Sequence, residues 1–154
     1  MTARPSKARS VLGVLAWILV LTVAWTASPA TAESVALPAA ERAAIRRVIE
    51  GQLEAFKRHD AKAAFAHAAP AIQALFGSPE SFMLMVRTEY PPIYQPRSFT
   101  FGELELVGGE FTQKVTVVGE DGSAVSAFYL MSRQKDDSWR VLGCILVPVA
   151  KTII

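Results

Sequence analysis

The sequence predicts an α+β domain in which N-terminal helices pack on a curved four-stranded antiparallel sheet. Three observations predict it. Up to about residue 90 the apolar residues recur at three-and-four spacing. From Ser98 onward they recur every second residue. Two turn-forming pairs, Gly108-Gly109 and Asp121-Gly122, then divide the second half into hairpins. Helices first and strands second is the order of an α+β fold, not of alternating units with a parallel sheet.

The first helix is predicted from about Ala39 to Arg58. Ile45, Val48, Ile49, Leu53 and Phe56 form its apolar stripe, and Arg42, Arg46, Arg47, Glu50, Glu54 and Lys57 lie elsewhere on the wheel. His59-Asp60 breaks it, and Asp60 is a natural N-cap for a second, alanine-rich helix over Ala61–Ala68. Pro70 opens a short helical piece that Gly77 ends. Ser78-Pro79-Glu80 supplies the next start: a capping hydroxyl, a proline at the first position and an acid suited to the helix dipole. Phe82, Met85, Val86 and Tyr90 are the apolar face of that helix, and Pro91-Pro92 stops it. Pro91, Pro92 and Pro96 then hold an extended crossing to the first strand, because each fixes its own φ and restricts the residue before it.

Phe99 and Phe101 alternate, as do Leu104 and Leu106, but the two sets are out of phase across Gly102. A bulge there restores one apolar face and helps the sheet curl round the first helix. After Gly108-Gly109, Phe111, Val115 and Val117 face one way and Thr112, Lys114 and Thr116 the other. Val125–Arg133 and Trp139–Val147 are apolar on both faces, which predicts two central, covered strands. Lys135–Ser138 joins them in a polar turn, and Met83, Met85 and Met131 read as core filler.

The N-terminus is predicted to lie outside the fold. Arg4, Lys7 and Arg9 precede the apolar run Val11–Ala27, and Ala30-Thr31-Ala32 is an A-x-A cleavage site, so residues 1–32 read as a signal peptide and 33–38 as the mature tail. The alternative is a membrane anchor formed by residues 11–27, a run near the lower limit of the roughly 20 residues that cross a bilayer. Cleavage removes 3 of the 16 basic residues and none of the 14 acidic ones, leaving 13 − 14 = −1 on a single domain over 39–154. Such a chain has no electrostatic footprint for nucleic acid or anionic lipid. The expected location is therefore periplasmic or secreted. The single cysteine, Cys144, has no internal disulfide partner and reads as a small buried strand residue.

The segments "IQALFGSPESFMLMVRTEYPPIYQPRSF" and "FYLMSRQKDDSWRVLGC" resemble an uncharacterised family of small exported bacterial proteins, a domain of unknown function in the nuclear transport factor 2-like, or cystatin-like, superfamily. Ile72-Gln73, Phe76-Gly77, Pro79, Phe82, Met85-Val86-Arg87, Tyr90-Pro91, Tyr94, Pro96-Arg97, Gln134, Trp139 and Gly143-Cys144 carry the resemblance, which spans about residues 43–147. It implies an α+β cone with a pocket between helices and sheet and, by superfamily analogy, a homodimer; it implies no activity. Two positions depart from the family's pattern: Ala69 precedes Pro70 and Gln95 precedes Pro96 where the family carries serine and arginine.

Acid–base chemistry inside such a cone needs a carboxylate or histidine within reach of substrate. Glu103 and Glu105 alternate with Leu104 and Leu106 and so face outward; Asp121, Asp136 and Asp137 fall in turns. His67 is the only histidine within a predicted helix, and His67 or Tyr90 is the candidate acid–base group for an isomerase- or dehydratase-type reading. No metal-ligand spacing, Ser-His-Asp set or phosphate-cradling glycine loop is present, and no cofactor is implied. The expected function is accordingly a non-catalytic cone domain binding a small ligand or a partner, with a purely structural interaction domain as a third reading. Arg87, Tyr90, Tyr94 and Arg97 are the candidate ligand-binding residues. Tyrosines and arginines at the rim of an apolar cleft suit an anionic or aromatic molecule through forked hydrogen bonds and stacking. Alternatively, Arg97 pairs with a sheet-edge acid such as Glu103.

Overall fold

Five helices precede four strands in the computed structural model, which describes residues 37–149. The signal peptide predicted over 1–32 and most of the tail predicted over 33–38 lie outside those residues. Helix α1 (Ala39–Lys57) buries Ile45, Ile49, Leu53 and Phe56 of the stripe that its spacing predicts, with Val48 half-buried beside them. Helix α2 (Ala61–Ala66) starts where Asp60 accepts the Ala63 N–H at 3.0 Å. Helix α3 (Pro70–Phe76) ends on Gly77 at φ +73°, a left-handed conformation that glycine adopts without a Cβ penalty. Helix α4 (Pro79–Glu89) is capped by Ser78, whose hydroxyl accepts the Ser81 N–H at 3.1 Å.

The crossing after α4 is not extended. Pro91–Tyr94 forms one more helical turn, α5, started by two prolines. The prolines stop α4 because neither offers an N–H to continue its ladder. A φ near −65° is equally the φ of a helix's first turn, so the same pair begins a new one. Pro91-Pro92 end α4 as expected, and of the three prolines Pro96 alone is extended; it already belongs to the first strand, two residues ahead of the predicted start at Ser98.

Strands β1 (Pro96–Val107), β2 (Glu110–Gly119), β3 (Ala124–Arg133) and β4 (Trp139–Pro148) form an antiparallel meander in the order β1-β2-β3-β4. The register breaks between Phe101 and Leu104, so Gly102 and Glu103 lie in a bulge opposite Lys114. That bulge has a buried keeper. Gln113, fully enclosed, donates Nε2 to the carbonyls of Gly102 (2.9 Å), Glu103 (3.1 Å) and Lys114 (2.9 Å). A second bulge leaves Leu142 unpaired in β4, since Met131 pairs with Val141 and Leu130 with Gly143. It keeps Val141 and Cys144 on the same face.

The helices cover one face of the sheet, and the core lies between them. Trp139 is buried there and donates Nε1 to Glu41 at 2.7 Å, tying the start of α1 to the start of β4. The expectation that β3 and β4 are both central strands is corrected. β4 is an edge strand, and Ile145 and Val147 on it are 58% and 46% exposed. Their apolar character on both faces reflects an uncovered outer surface, not a covering layer.

Candidate functional site

Cross-strand pairing builds a floor for a cavity. In one row of the sheet, Leu104, Gln113, Tyr129 and Cys144 are successive partners across β1 to β4; the next row ends with Met131 beside Val141. Tyr129, Val141 and Cys144 line a cavity of about 260 Å³. Gln52 and Phe56 of α1 close one side, Phe82, Met85 and Val86 of α4 another, and Ile72, Leu75 and Phe76 of α3 lie at its margin. Phe82 packs at 6.0, 5.5 and 5.6 Å from the rings of Phe56, Phe65 and Phe76, which gives the cavity a rigid aromatic wall.

Helix α3 borders the mouth. It has no fully buried residue of its own, and Leu75 is 74% exposed. Two devices hold it: the Gln73 amide donates to the carbonyls of Phe65 (2.9 Å) and Ala68 (3.1 Å), and the Ala69 N–H donates to the Val141 carbonyl at 2.8 Å.

The polar groups at the cavity are few and uncharged. Gln52 donates Nε2 to the Ala64 carbonyl at 3.1 Å, and Tyr90 donates its hydroxyl to the Cys144 carbonyl at 3.3 Å. Burial raises the Tyr90 phenol above its ordinary value, and the neighbouring Cys144 and Glu89 add to the shift. Burial also pushes the Cys144 thiol up to about 12, so it stays protonated and unreactive. Tyr129 is enclosed completely, and burial raises its phenol well above the usual range. Its hydroxyl has no oxygen or nitrogen partner. The Cys144 thiol is its polar neighbour, and sulfur is a weak acceptor that leaves the donor largely unmet.

Of the four candidate residues, only Tyr90 lines this cavity. Arg87 is exposed in the last turn of α4 and is absent from the lining. Tyr94 stacks on His59 with ring centroids 4.9 Å apart, and the Gln95 amide lies 3.4 Å from His59 Nε2. Arg97 borders a separate, shallow polar groove with Lys57, His59 and Glu120. The pairing of Arg97 with Glu103 does not form; the ion pairs among the described residues join Arg133 to Glu41 and Asp137. The four candidates from Arg87 to Arg97 therefore divide between separate places, and the two arginines do not converge.

His67 also lies elsewhere, in a surface groove with Glu41, Arg47 and Arg140. Desolvation and then the Arg140 guanidinium lower its pKa. Its ring presses on α1 at Gly51, where a Cβ would meet Nε2 at 2.8 Å, which explains a glycine in the middle of that helix. Glu103 and Glu105 are exposed, as their alternation predicts. No cluster of three or more metal-ligating side chains occurs among the described residues, and none of the described helices is long and apolar enough to cross a membrane.

The sequence gives no direct signal for Tyr129 as a site residue: it sits in an apolar run, and its unmet hydroxyl emerges only from strand register. The signal for Cys144 is stronger, since Gly143-Cys144 is among the pairs that carry the family resemblance.

Residues 38–154 match the family described as Domain of unknown function (DUF4864). The chain belongs to that family. The match takes in every helix and strand described above. No curated protein and no solved structure matches the chain.

Proposed function

We propose that this DUF4864 chain is an exported cone domain of the nuclear transport factor 2-like kind that takes up a small, mainly apolar molecule in the cavity bordered by α3. One observation carries the reading: an apolar cavity of about 260 Å³, walled by aromatic and aliphatic side chains, lies between helices and sheet with a few uncharged polar residues, Gln52, Tyr90 and Cys144 among them, in its lining. Apolar cavities of about 150 Å³ bind benzene, and ligand sites are largely apolar with a few placed polar groups. Helices on one sheet face and a bulge at Gly102 support the cone; the n-region, apolar run and A-x-A site support export.

Binding is favoured over acid–base turnover because no carboxylate or imidazole lines the cavity among the described residues. It is also favoured over an anionic ligand, since Arg87 and Arg97 lie off the cavity and a buried anion without a partner is costly. The test is a thermal-shift titration of the 33–154 chain with single-ring and two-ring aromatics, compared with Ile72→Trp, which fills the cavity margin. Saturable stabilisation of the wild type that the variant loses supports the reading, because selective binding to the native state raises its melting temperature. No stabilisation by any compound, in a cavity stripped by refolding, overturns it.

A further inference from the structure

A surface groove lies apart from the cavity, where α1, the end of α2 and the start of β4 meet, and His67 stands in it. The histidine is held on two sides. The Val141 N–H donates to its carbonyl at 2.9 Å, and its ring presses on α1 at Gly51, where an alanine Cβ would stand 2.8 Å from Nε2. Glycine is the poorest helix former after proline, so α1 gives up helix propensity at mid-length to seat this ring. Among the described residues, no protein group is hydrogen-bonded to either ring nitrogen. Two guanidiniums flank the ring. Arg47 lies one helical turn before Gly51 on the same face of α1. Arg140 directly precedes Val141, and its charge reaches His67. Among the described residues Arg47 forms no ion pair. Arg140 gives one N–H to the Trp139 carbonyl at 3.1 Å, which leaves most of its five N–H groups without a protein acceptor. The two carboxylates of the groove are already met: Arg133 lies 3.5 Å from Glu41 and 3.2 Å from Asp137, and Glu41 also accepts Trp139 Nε1. Asp136 feels the charge of Arg140 but takes its hydrogen bonds from the Ser138 N–H and hydroxyl.

We propose that this groove is a binding site, independent of the apolar cavity, for a small oxyanion: a carboxylate or phosphate-type group held between the Arg47 and Arg140 guanidiniums, with an N–H of His67 as third donor. Guanidinium forks match the oxygens of such groups, and these donors are accessible, since Arg47 is exposed and His67 and Arg140 are half-buried. The charged groups that share the groove with the ring are Arg47 and Glu41 from α1, Asp137 from the turn before β4, and Arg140 from β4 itself. With the two acids paired to Arg133, the surplus is cationic. An anion seated there favours the imidazolium, so binding of the anion and protonation of His67 reinforce each other.

The protein has two histidines, so the test carries its own control. Both imidazoles are followed by NMR from about pH 5 to 8 in chloride, sulfate and formate at matched ionic strength. Sulfate stands for a tetrahedral phosphate-type group and formate for a carboxylate, so the more effective of the two tells the sources apart. Relative to chloride, at least one of them should raise the His67 pKa by about half a pH unit or more, equivalent to about threefold tighter binding to the imidazolium form. It should leave His59 unmoved. That residue borders the groove of Lys57 and Arg97 and reports general accumulation of anions. Arg47→Gln, on the exposed surface of α1, and Arg140→Gln should each weaken the effective anion about tenfold. Arg140→Gln should also raise the His67 pKa in chloride, because it removes a charge that lowers it. A His67 titration identical in all three salts overturns the proposal and leaves a histidine that only packs. Equal responses of His67 and His59 show an adventitious ion only and overturn it too, as does an anion affinity indifferent to Arg47→Gln.

Discussion

Replacing Tyr129 by phenylalanine should stabilise the ligand-free protein. In most buried tyrosines the hydroxyl is hydrogen-bonded and its loss costs stability, so the sign of this change is diagnostic. Here the hydroxyl is enclosed with no oxygen or nitrogen partner, and an unmet buried donor carries a desolvation penalty of about 1–3 kcal/mol. Against that stands the void left by one oxygen, on the order of 10 Å³, costing about 0.2 kcal/mol at the usual rate per unit of cavity volume. The weak contact with the Cys144 thiol is also lost, which places the net gain toward the lower end, about 1 kcal/mol. For a domain of this size that corresponds to a rise of about 4 °C in melting temperature. The assay is paired urea and thermal unfolding of protein refolded from denaturant, so that no carried-over ligand adds to its stability. A loss of 0.5 kcal/mol or more would show that the hydroxyl is already satisfied in the free protein, and the argument from an unmet donor would fail.

Trp139→Ala should cost about 3–5 kcal/mol, because it empties a large core site and removes the hydrogen bond that Trp139 Nε1 gives Glu41 at 2.7 Å; a change within about 0.5 kcal/mol in urea unfolding would contradict the sheet register. Cys144, with its thiol pushed up to about 12, should react with iodoacetamide at pH 8 on the order of a thousandfold more slowly in the native than in the unfolded chain. Mass-spectrometric rates that match in the two states would place the thiol in solvent. His67 has its pKa lowered by burial and Arg140, so the unfolded chain takes up that proton first on acidification. The His67 contribution is complete above about pH 6.5 and falls below it, and His67→Gln should flatten that limb of the stability profile; an unchanged limb would assign the pH dependence to other groups.

Much of the scaffold was readable from spacing and turn chemistry. Asp60, Ser78 and Gly77 mark helix ends through local hydrogen bonds or a left-handed φ, and such signals lie within a few residues of one another. Gly102 revealed a bulge because the alternation on either side of it was out of phase. What local pattern could not decide was anything set by a neighbour in space. Pro91-Pro92 is compatible with both an extended run and a first helical turn, and packing of Ile93 into the core selects the turn. Val125–Arg133 and Trp139–Val147 carry similar apolar runs, yet only one of those strands is flanked on both sides, since sheet order is not written in either. Gln113 reads as a polar interruption of an apolar face until its three carbonyl partners are seen. The site was legible only at Tyr90. Arginines and tyrosines near one another in sequence diverged because α5 turns the chain between them, and Tyr129 acquires its meaning from pairing with Cys144, fifteen positions further along.

The central claim is that a small neutral molecule occupies the cavity between α3, α4 and the sheet. The most direct measurement is a methyl-resolved NMR titration of the 33–154 chain with acetophenone, using labelled methionine, isoleucine and valine. The account predicts saturable shifts at Met85, Ile72 and Val141, which line the cavity, and none at Ile145 and Val147 on the outer sheet face. Shifts that appear first on the outer face, or that grow linearly without saturating at the cavity methyls, would contradict it.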